Sequence, residues 1–351
     1  MDQKTKILHI VPTKFGGGVE TAANSFLDYS CKNFCFRVFF LKNRKDENSA
    51  IAYLKSFKKI NEISPDFILT SLWKSNIITL IYKFINSEKK YILFLHSTKN
   101  KHFIDGLVTT LAALFACEIW ADSSETITKR INSLYLFSHN KKLLVKKNKK
   151  KIISFVLEKF QPQKIIKCKL SFIYWGRLCS DKNIDKSIKL FSKIYKFEKK
   201  SKFVIIGQDS GAKNLLIELI KKHKLEKNVL IFDYMKFEEI KKYARKACFF
   251  IQLSSYEGMA MSVAESMQLG LIPIVTNVGQ IKKYCINNHN SLIYENNDEK
   301  IMSKIIELIY YAEKYKKIRQ HSIDTWKNYP TYKKDMISSI EKLITKFKFI
   351  S

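Results

Sequence analysis

Two glutamates, Glu257 and Glu265, stand eight residues apart in the segment EGMAMSVAE. The surrounding pattern predicts a strand at 249–253, a turn, and a helix from about residue 259 to residue 270. Glu257 then lies just before the helix, and Glu265 lies about two turns inside it, roughly 12 Å further along the axis. The first N–H groups of a helix have no partner within it and favour an anion. An anion site with a carboxylate on either side matches the order of groups in a nucleotide sugar: sugar hydroxyls, diphosphate, ribose hydroxyls.

Two cations follow another predicted strand, at 171–176. They are Arg177 and Lys182 in the segment WGRLCSDKNID, which precedes a predicted helix. Cations at the carboxyl end of a strand suit a diphosphate, and arginine offers a planar fork of donors. The alternative interpretation is that both are ordinary surface cations in a chain that has many.

A glycine loop, KFGGGVE at 14–20, lies between the first predicted strand and the first predicted helix. Gly17 and Gly18 let the backbone approach a ligand closely, and the start of a helix favours an anion. The loop is not a dinucleotide fingerprint, because Thr21 stands where the third glycine would be, and it lacks the G-K-[ST] of a Walker loop. A plain tight turn is the alternative.

Short apolar runs alternate with amphipathic stretches along both halves of the chain. Strands are predicted at 6–12, 36–41, 66–72, 91–97 and 118–123, and then at 171–176, 202–207, 229–232, 249–253 and 272–276. A basic helical segment is predicted at 301–349. This alternation predicts parallel strands joined by crossover helices, and therefore two doubly wound α/β domains in tandem. We expect the site in a cleft between them, beyond the carboxyl ends of the strands.

The pattern is interrupted between the two halves. Charge density rises in the lysine run KKNKKK at 146–151, and QPQ follows at 161–163. We interpret 141–169 as a linker with its boundary near residue 165, and the lysine run as a solvated loop. The predicted domains are therefore 1–165 and 166–330, and 331–351 form a C-terminal helix that can pack back on the first domain.

The composition allows two sizeable cores and shows a strong excess of positive charge. The chain has 351 residues, of which 46% are hydrophobic, and 63 Lys+Arg face 32 Asp+Glu, a formal net charge of +31. Nucleic-acid binding, attraction to an anionic membrane surface, and a bias towards Lys, Asn and Ile without function would each explain this charge. The lysines are spread along the chain, and no zinc-finger, RNA-recognition or basic-zipper pattern occurs, which disfavours nucleic acid.

The seven cysteines include no C-x-x-C pair, which is typical of reduced thiols in the cytoplasm. Cys31 and Cys35 stand four apart, but no second ligand pair follows, so no metal site is predicted. The amino terminus has too short an apolar run for a signal peptide, and no run approaches the ~20 residues of a membrane span. We expect a cytoplasmic protein that meets the inner face of the membrane only peripherally.

With these motifs, the chain resembles the retaining glycosyltransferases of family 4, which have the GT-B fold of two Rossmann-like domains. In the second half, the resemblance is carried by GRLCSDKNID, by EGMAMSVAE, which is the E-x7-E motif of the family, and by GLIPIVTNVG. In the first half, GGGVE, SPDFI, LHS and ADSSETITKRI are similar to the first domain of the family. The likeness extends to about residue 330.

The resemblance implies a donor site in the second half. Arg177 and Lys182 would bind the donor diphosphate. Glu257 would hold the hydroxyls of the donor sugar, and Glu265 those of the ribose. The remaining donor-binding positions are Gly258, Met259 and Ala260, at the predicted start of the helix.

In the first half, the resemblance implies that Gly17 and Gly18 let the domain approach the donor phosphate. His96, in LHS, would face the reacting centre from the acceptor side, and it joins Glu257 as a catalytic candidate.

The function implied by the resemblance is transfer of a sugar from a UDP- or GDP-sugar to a saccharide or lipid-linked saccharide acceptor. Retention of configuration and a role in a cell-surface polysaccharide, such as lipopolysaccharide O-antigen or capsule, are implied too. No cofactor is expected: D-x-D, the usual diphosphate–metal motif of the other major glycosyltransferase fold, is absent, and two cations can balance a diphosphate. The alternatives are another GT-B sugar-nucleotide enzyme, an epimerase or phosphorylase, and a basic nucleic-acid-binding protein.

Overall fold

The computed structural model describes residues 4–14, 17–42, 49–134, 149–164 and 170–348. The chain divides into two compact units. One combines Met1–Leu157 with Pro330–Ser351, and the other is Glu158–Tyr329. Each unit is an α/β domain built on a single sheet, so the prediction of two Rossmann-like α/β domains is confirmed.

The first unit contains a seven-stranded sheet. Its strands are β1 (Thr5–Thr13), β2 (Asp28–Ser30), β3 (Phe34–Lys42), β4 (Phe67–Ser71), β5 (Lys90–Leu95), β6 (Glu118–Ala121) and β7 (Lys149–Ile152). The helices between them are α1 (Gly18–Asn24), α2 (Ser49–Ile63), α3 (Trp73–Ile85), α4 (Phe103–Phe115) and α5 (Ser124–Leu134). The strand order is β2-β3-β1-β4-β5-β6-β7, and all neighbours are parallel except β2 and β3.

The core of the first unit forms around the central strand β1, whose residues 7–12 are all buried. Such continuous burial requires cover on both faces of the sheet. Leu8 and Ile10 pack in one apolar cluster with Leu93 of β5 and with Ala112 and Ala113 of α4. Small residues on the inner side of α4 allow this helix to lie close to the sheet.

The second unit contains a six-stranded parallel sheet. Its strands are β8 (Ser171–Trp175), β9 (Lys202–Ile206), β10 (Val229–Phe232), β11 (Phe249–Gln252), β12 (Ile272–Val275) and β13 (Leu292–Ile293). Its helices are α6 (Ile184–Phe197), α7 (Lys213–Lys222), α8 (Phe237–Ala244), α9 (Met261–Gln268), α10 (Ile281–Tyr284), α11 (Asp298–Tyr310) and α12 (Ala312–Asp324). The strand order, β10-β9-β8-β11-β12-β13, reverses between β8 and β11.

All ten strands predicted from apolar runs occur, with ends within two residues of the predicted ones. β2, β7 and β13 were not predicted, because each is short and carries too few apolar residues to form a run. The basic segment predicted as helical at 301–349 forms most of α11 and all of α12, together with a last helix, α13 (Tyr332–Lys348).

The interpretation of the whole lysine run as a solvated loop was wrong. Residues 146–148 lie outside the described residues, but Lys149–Ile152 form β7, which pairs with β6 in register from Glu118 to Ala121. β7 is an edge strand, and Lys150 on it is exposed. Lysine is a common residue on edge strands, because its charge prevents pairing with another chain. A run of lysines therefore does not exclude a strand at this place.

The chain passes from the first unit to the second at Leu157, earlier than the predicted boundary near 165. The reason is that residues 158–164 already pack on the second unit. The rings of Phe160 and Phe237 lie 4.7 Å apart, and the Gln163 N–H donates to the Leu269 carbonyl at 3.2 Å. Residues 165–169 lie outside the described residues.

The chain returns to the first unit at Pro330. At the start of α13, the Tyr332 N–H donates to the Val156 carbonyl at 2.7 Å. Near the end of α13, the Lys346 ammonium donates to Glu118 Oε1 at 2.8 Å. These contacts attach the last helix to β6 and to the segment that follows β7. Within the described residues, none of the helices has the length and apolar character that crossing a membrane requires.

Candidate active site

The candidate site of the second unit lies where its strand order reverses, between β8 and β11. At such a point the loops after two neighbouring strands separate to opposite faces of the sheet and leave a crevice. Arg177 and Lys182 follow β8, and Glu257 follows β11. Residues that are about 75 positions apart in the sequence therefore meet at one edge of the sheet.

The loop after β8 is fixed to the loop after β11 by several hydrogen bonds. Asn183 adopts a left-handed conformation with φ of 47°, and its side-chain amide donates to the Leu253 carbonyl and to Ser255 Oγ, both at 2.9 Å. The Ser255 N–H donates in turn to the Asp181 carbonyl at 2.8 Å, and the Tyr256 hydroxyl donates to Asp181 Oδ2 at 2.9 Å. These bonds hold Lys182 in place.

Glu257 is buried and paired with a cation. It is 7% exposed, and its Oε1 accepts from the Lys182 ammonium at 2.5 Å and from the Gln252 amide at 2.7 Å. Gln252 is held in turn by Ser262, whose hydroxyl donates to Gln252 Oε1 at 2.8 Å. The sequence predicted Glu257 and Lys182 as separate ligands of one molecule. The structure shows that they also bind each other.

The turn between Glu257 and the helix is tightly held. α9 begins at Met261, two residues later than predicted, because Ala260 takes a left-handed conformation with φ of 56°. The Tyr284 hydroxyl donates to the Met259 carbonyl at 2.8 Å, and the Gln280 N–H donates to the Gly258 carbonyl at 3.0 Å. The turn of Gly258, Met259 and Ala260 thus presents the start of α9 towards the edge of the sheet that carries Lys182.

Gly279, in the loop after β12, belongs to the same arrangement. A side chain at this position would place its Cβ 2.0 Å from the Glu257 carbonyl oxygen, so only glycine fits. Its φ of 56° also favours glycine. The motif GLIPIVTNVG therefore supports the site through a close backbone contact, which the sequence alone did not indicate.

Glu265 lies about one turn inside α9, and not two as predicted, because the helix begins only at Met261. Its environment differs from that of Glu257. Glu265 is half-buried, and its Oε2 accepts from the Trp175 indole N–H at 2.8 Å. Burial raises the pKa of Glu265 from the usual 4.5 to about 7, the nearby charge of Glu158 raises it too, and the bond from Trp175 opposes this rise. Glu265 therefore exchanges a proton near neutral pH.

Arg177 differs from these residues because its side chain is exposed. Its carbonyl accepts from the Tyr174 hydroxyl at 2.9 Å, which fixes the backbone directly after β8. The structure therefore brings Lys182 and Glu257 together through a direct bond, places the 258–260 turn next to Glu257, and bonds Glu265 to Trp175 at the end of β8. It places Arg177 on the same strand end, with its guanidinium in solvent.

In the first unit, His96 follows β5 and belongs to a chain of three side chains. Ser71 Oγ lies 2.8 Å from His9 Nε2 and 2.8 Å from His96 Nε2. A hydroxyl has a single proton, so it donates to one imidazole and accepts from the other. The two histidines therefore hold opposite tautomers. Sequence reasoning missed His9 and Ser71, because a histidine inside an apolar strand has no local signal.

His9 and His96, the two histidines bonded to Ser71, are both neutral at physiological pH. Burial lowers the pKa of His9 to about 3. Burial and the neighbouring His9 lower the pKa of His96 well below its usual value. The Nδ1 atoms of both rings are buried and lack a hydrogen-bond partner among the described residues. The Nε2 atom of His96 is thus occupied by Ser71 and its Nδ1 atom is buried, so the ring is fixed in orientation and is a poor proton carrier.

A pocket of about 210 Å³ lies beside His96. Its polar lining includes Thr13, Glu20, His96, Lys101, Asp105 and Arg130. Asp105 and Arg130 form a buried ion pair with 3.0 Å between Oδ1 and a guanidinium nitrogen. Buried charges at a pocket are a frequent feature of ligand sites.

Glu20, at the end of the glycine loop, lines the same pocket. Gly17 caps α1, and its N–H donates to Glu20 Oε2 at 2.9 Å. Gly18 is the first residue of α1 and is exposed. Glu20 was not predicted as a site residue, although it is only two positions after Gly18.

Comparison with known proteins agrees with this geometry. Residues 155–324 match the model of the family "Glycosyl transferases group 1". The matched region covers nearly all of the second unit and contains every candidate residue of that unit. The second unit therefore contains a glycosyl transferases group 1 domain.

Relatives and solved structures extend the similarity to the whole chain. An uncharacterised glycosyltransferase of Methanocaldococcus jannaschii is 27% identical over 68% of this chain, and the match spans 63% of that relative's length. The O-antigen biosynthesis glycosyltransferase WclY of Escherichia coli is 24% identical, with 88% of this chain and 89% of the relative covered. The crystal structure of Anabaena HepE in complex with UDP and glucose superposes with a TM-score of 0.76 at 15% identity, covering 97% of this chain and all of that one.

These findings define the architecture as that of the GT-B glycosyltransferases and the chain as a homologue of glycosyltransferases.

The raised pKa of Glu265 leads to a prediction about stability. An acid whose pKa is higher in the folded than in the unfolded state binds more protons when folded, so the free energy of unfolding falls as the pH rises from about 4.5 to about 7. Glu265→Gln removes this loss. We expect the free energy of unfolding of the variant to increase relative to that of the wild type across this window, by up to about 3 kcal/mol at pH 7.5.

Denaturant unfolding at pH 5 and pH 7.5 measures this difference. The matched control is Glu226→Gln, which changes an exposed glutamate of the same unit and should follow the wild type at both pH values. If the difference in free energy of unfolding between Glu265→Gln and the wild type is the same at both pH values, the pKa of Glu265 is not raised by burial.

Proposed function

We propose that the protein transfers a sugar from a nucleotide-sugar donor to a saccharide or lipid-linked saccharide acceptor, with retention of configuration. The observation that carries the proposal is the Lys182–Glu257 pair beside the start of α9, with Glu265 about one turn inside this helix. This is the order of charges that a nucleotide sugar requires. The similarity to WclY supports a role in O-antigen or another cell-surface polysaccharide.

The donor diphosphate would lie against Lys182, Arg177 and the first turn of α9. An ammonium has three N–H donors, so Lys182 can keep its bond to Glu257 and still bind a phosphate oxygen. Arg177 is exposed and can close on the diphosphate from solvent. The free N–H groups after Ala260 add to this positive region.

The two glutamates would hold the two ends of the donor. Oε1 of Glu257 accepts the bonds from Lys182 and Gln252, which leaves Oε2 for a hydroxyl of the donor sugar. Glu265 would accept from the ribose hydroxyls in its ionised form. Binding of the ribose would then lower its pKa from about 7 and release a proton.

The reaction breaks the bond between the anomeric carbon and the diphosphate. Negative charge develops on the leaving diphosphate, and the preorganised cations with the dipole of α9 would stabilise it. Positive character develops on the sugar, where the carboxylate of Glu257 would lie. Retention requires that the acceptor attacks from the face of the leaving group.

The pocket beside His96 would receive the acceptor. Because His96 is neutral and bonded to Ser71, its role in this proposal is to line the pocket on the acceptor side and not to carry the proton of the acceptor. Gly17 and Gly18 would allow close approach of the first unit to the donor. We further propose that the protein acts in the cytoplasm, at the inner face of an anionic membrane.

UDP is the first nucleotide to test, because HepE, which shares the fold, was solved with UDP and glucose. Thermal shift with UDP, GDP, ADP and their sugars would identify the donor. A ligand at 100 times its dissociation constant stabilises the protein by about 2.7 kcal/mol. Transfer to a saccharide acceptor, and not epimerisation or phosphorolysis of the donor, would then establish the reaction type.

The different roles of the glutamates lead to a kinetic prediction. Glu257→Gln keeps the size of the side chain but removes a charge that matters most as the bond breaks, so kcat should fall at least about tenfold with nucleotide affinity nearly kept. Glu265→Gln removes binding that does not change during the reaction, so the donor KM should rise. The corresponding loss of binding free energy is at most roughly 1.5–3 kcal/mol. Steady-state kinetics of both variants measures this split. Normal turnover of Glu257→Gln, or a reversal of the two effects, would contradict the proposed roles.

Metal independence is a second kinetic prediction. Lys182 and Arg177 supply the positive charge that a divalent ion would otherwise give to the diphosphate, so we expect transfer to continue in EDTA. The control is the same assay with added magnesium or manganese. Loss of transfer in EDTA that either ion restores would show that the two cations are insufficient.

A further inference from the structure

The outer side of two helices in the first unit, α3 and α4, carries an extended apolar surface. Among the described residues twenty large hydrophobic side chains are exposed, and nine of them belong to these two helices. They are Ile81, Phe84 and Ile85 on α3, and Phe103, Ile104, Leu107, Leu111, Leu114 and Phe115 on α4. This set is called the α3–α4 face below.

The distribution of side chains on α4 is the reverse of what folding alone requires. The buried positions of this helix are occupied by small or polar residues: Asp105, Gly106, Thr109, Thr110, Ala112 and Ala113. Its large apolar residues point outwards, and Phe103 is 67% exposed. A helix that serves only the core turns its large apolar residues inwards. The outward residues of α4 therefore have another partner.

The exposed residues form one continuous surface. The rings of Phe84 and Phe115 lie 5.2 Å apart near the ends of the two helices, and those of Trp73 and His102 lie 4.9 Å apart near their starts. The helices therefore run side by side over thirteen residues each, about 20 Å. A continuous apolar surface of this size on a protein marks an interaction site.

Positive charge predominates beside this surface, and its exposed lysines lie near the starts of the two helices. Residues 72–116, which contain both helices and their connections, include six lysines and two acidic residues. Asp105 is buried in its ion pair with Arg130, so Glu88 is the one exposed acid of this segment. Lys74, Lys99 and Lys101 are exposed near the starts of the helices. The α4 helix itself contains no lysine or arginine.

We propose that the α3–α4 face docks the protein on the surface of an anionic lipid bilayer. Apolar side chains with a rim of lysines fit an interface where acyl chains lie beneath negative headgroups. A second copy of this chain would fit less well, because it would bring two lysine rims together. At thirteen residues α4 is too short to span the ~20 residues of a bilayer core, so it lies in the plane of the interface.

The pocket beside His96 lies next to the α3–α4 face, so docking would bring the pocket close to the bilayer. Trp73 and Lys101, at the start of the two helices, line the pocket beside His96. A lipid-linked saccharide would place its sugar in this pocket while its lipid stays in the bilayer. This last step rests on the proposed glycosyltransferase function, whereas the docking itself does not.

Flotation with lipid vesicles tests the docking. The test variant combines Phe84→Gln, Phe103→Gln, Leu107→Gln and Leu111→Gln. The control combines Phe197→Gln, Leu215→Gln, Leu230→Gln and Tyr234→Gln, which change four exposed large side chains of the second unit. Vesicles of phosphatidylcholine with phosphatidylglycerol are compared with phosphatidylcholine alone, at ~0.05 M and ~1 M salt.

We expect the wild type and the control to bind the anionic vesicles at low salt and to lose most of this binding at high salt. The test variant should partition at least about tenfold less. Equal partition of the wild type to neutral and anionic vesicles would overturn the proposal. So would equal binding of the test and control variants. A wild-type dimer in light scattering that the test variant abolishes, with vesicle binding unchanged, would show that a second copy covers the face.

The thermal shift by UDP, measured on the same samples, separates this proposal from the proposed function. A test variant that keeps the wild-type UDP shift and loses vesicle binding supports docking with a folded donor domain. A wild type that binds vesicles but no nucleotide would contradict the proposed reaction and leave the docking standing. A wild type that binds UDP but not anionic vesicles would contradict the docking and leave the proposed reaction standing.

Discussion

The site of the second unit depends on one constraint, the need of a buried carboxylate for a cation. Glu257 is 7% exposed, and an unpaired charge at such a position costs several kcal/mol. Lys182 supplies the partner at 2.5 Å, and this requires the loops after β8 and β11 to stay together. The bonds of Asn183 and the close contact of Gly279 serve the same end. A ligand that binds Lys182 therefore meets a cation already in position.

The proton equilibria of the candidate residues follow from burial in the same way. Burial raises the pKa of Glu265 to about 7, so this carboxyl is partly protonated near neutral pH, and it lowers the pKa of His96 well below its usual value, so this ring is neutral. For Glu265, a ligand that donates hydrogen bonds would favour the ionised form. For His96, the neutral ring is bonded to Ser71, so its orientation is fixed before any acceptor arrives. The positive charge of the donor site thus comes from Lys182 and Arg177.

Much of this arrangement could be predicted from the sequence, because apolar runs and glycines report directly on strands and turns. The ten predicted strands occur, and Glu257 lies before a helix as expected. β7 could not be predicted, since pairing with β6 and not its own lysine-rich sequence makes it a strand. The Lys182–Glu257 bond and the His9–Ser71–His96 chain join residues that are 25 to 75 positions apart, and no local pattern reports such contacts.

The central claim is that Lys182 binds the donor diphosphate and does not merely neutralise Glu257. Calorimetric titration of UDP onto the double variant Lys182→Gln, Glu257→Gln tests it most directly, because removing both charges leaves no unpaired buried group. If Lys182 holds the diphosphate, the folded double variant should bind UDP at least about tenfold more weakly than the wild type, the loss of one charge-assisted hydrogen bond. UDP affinity equal to that of the wild type would show that the lysine serves only the glutamate, and it would contradict the account.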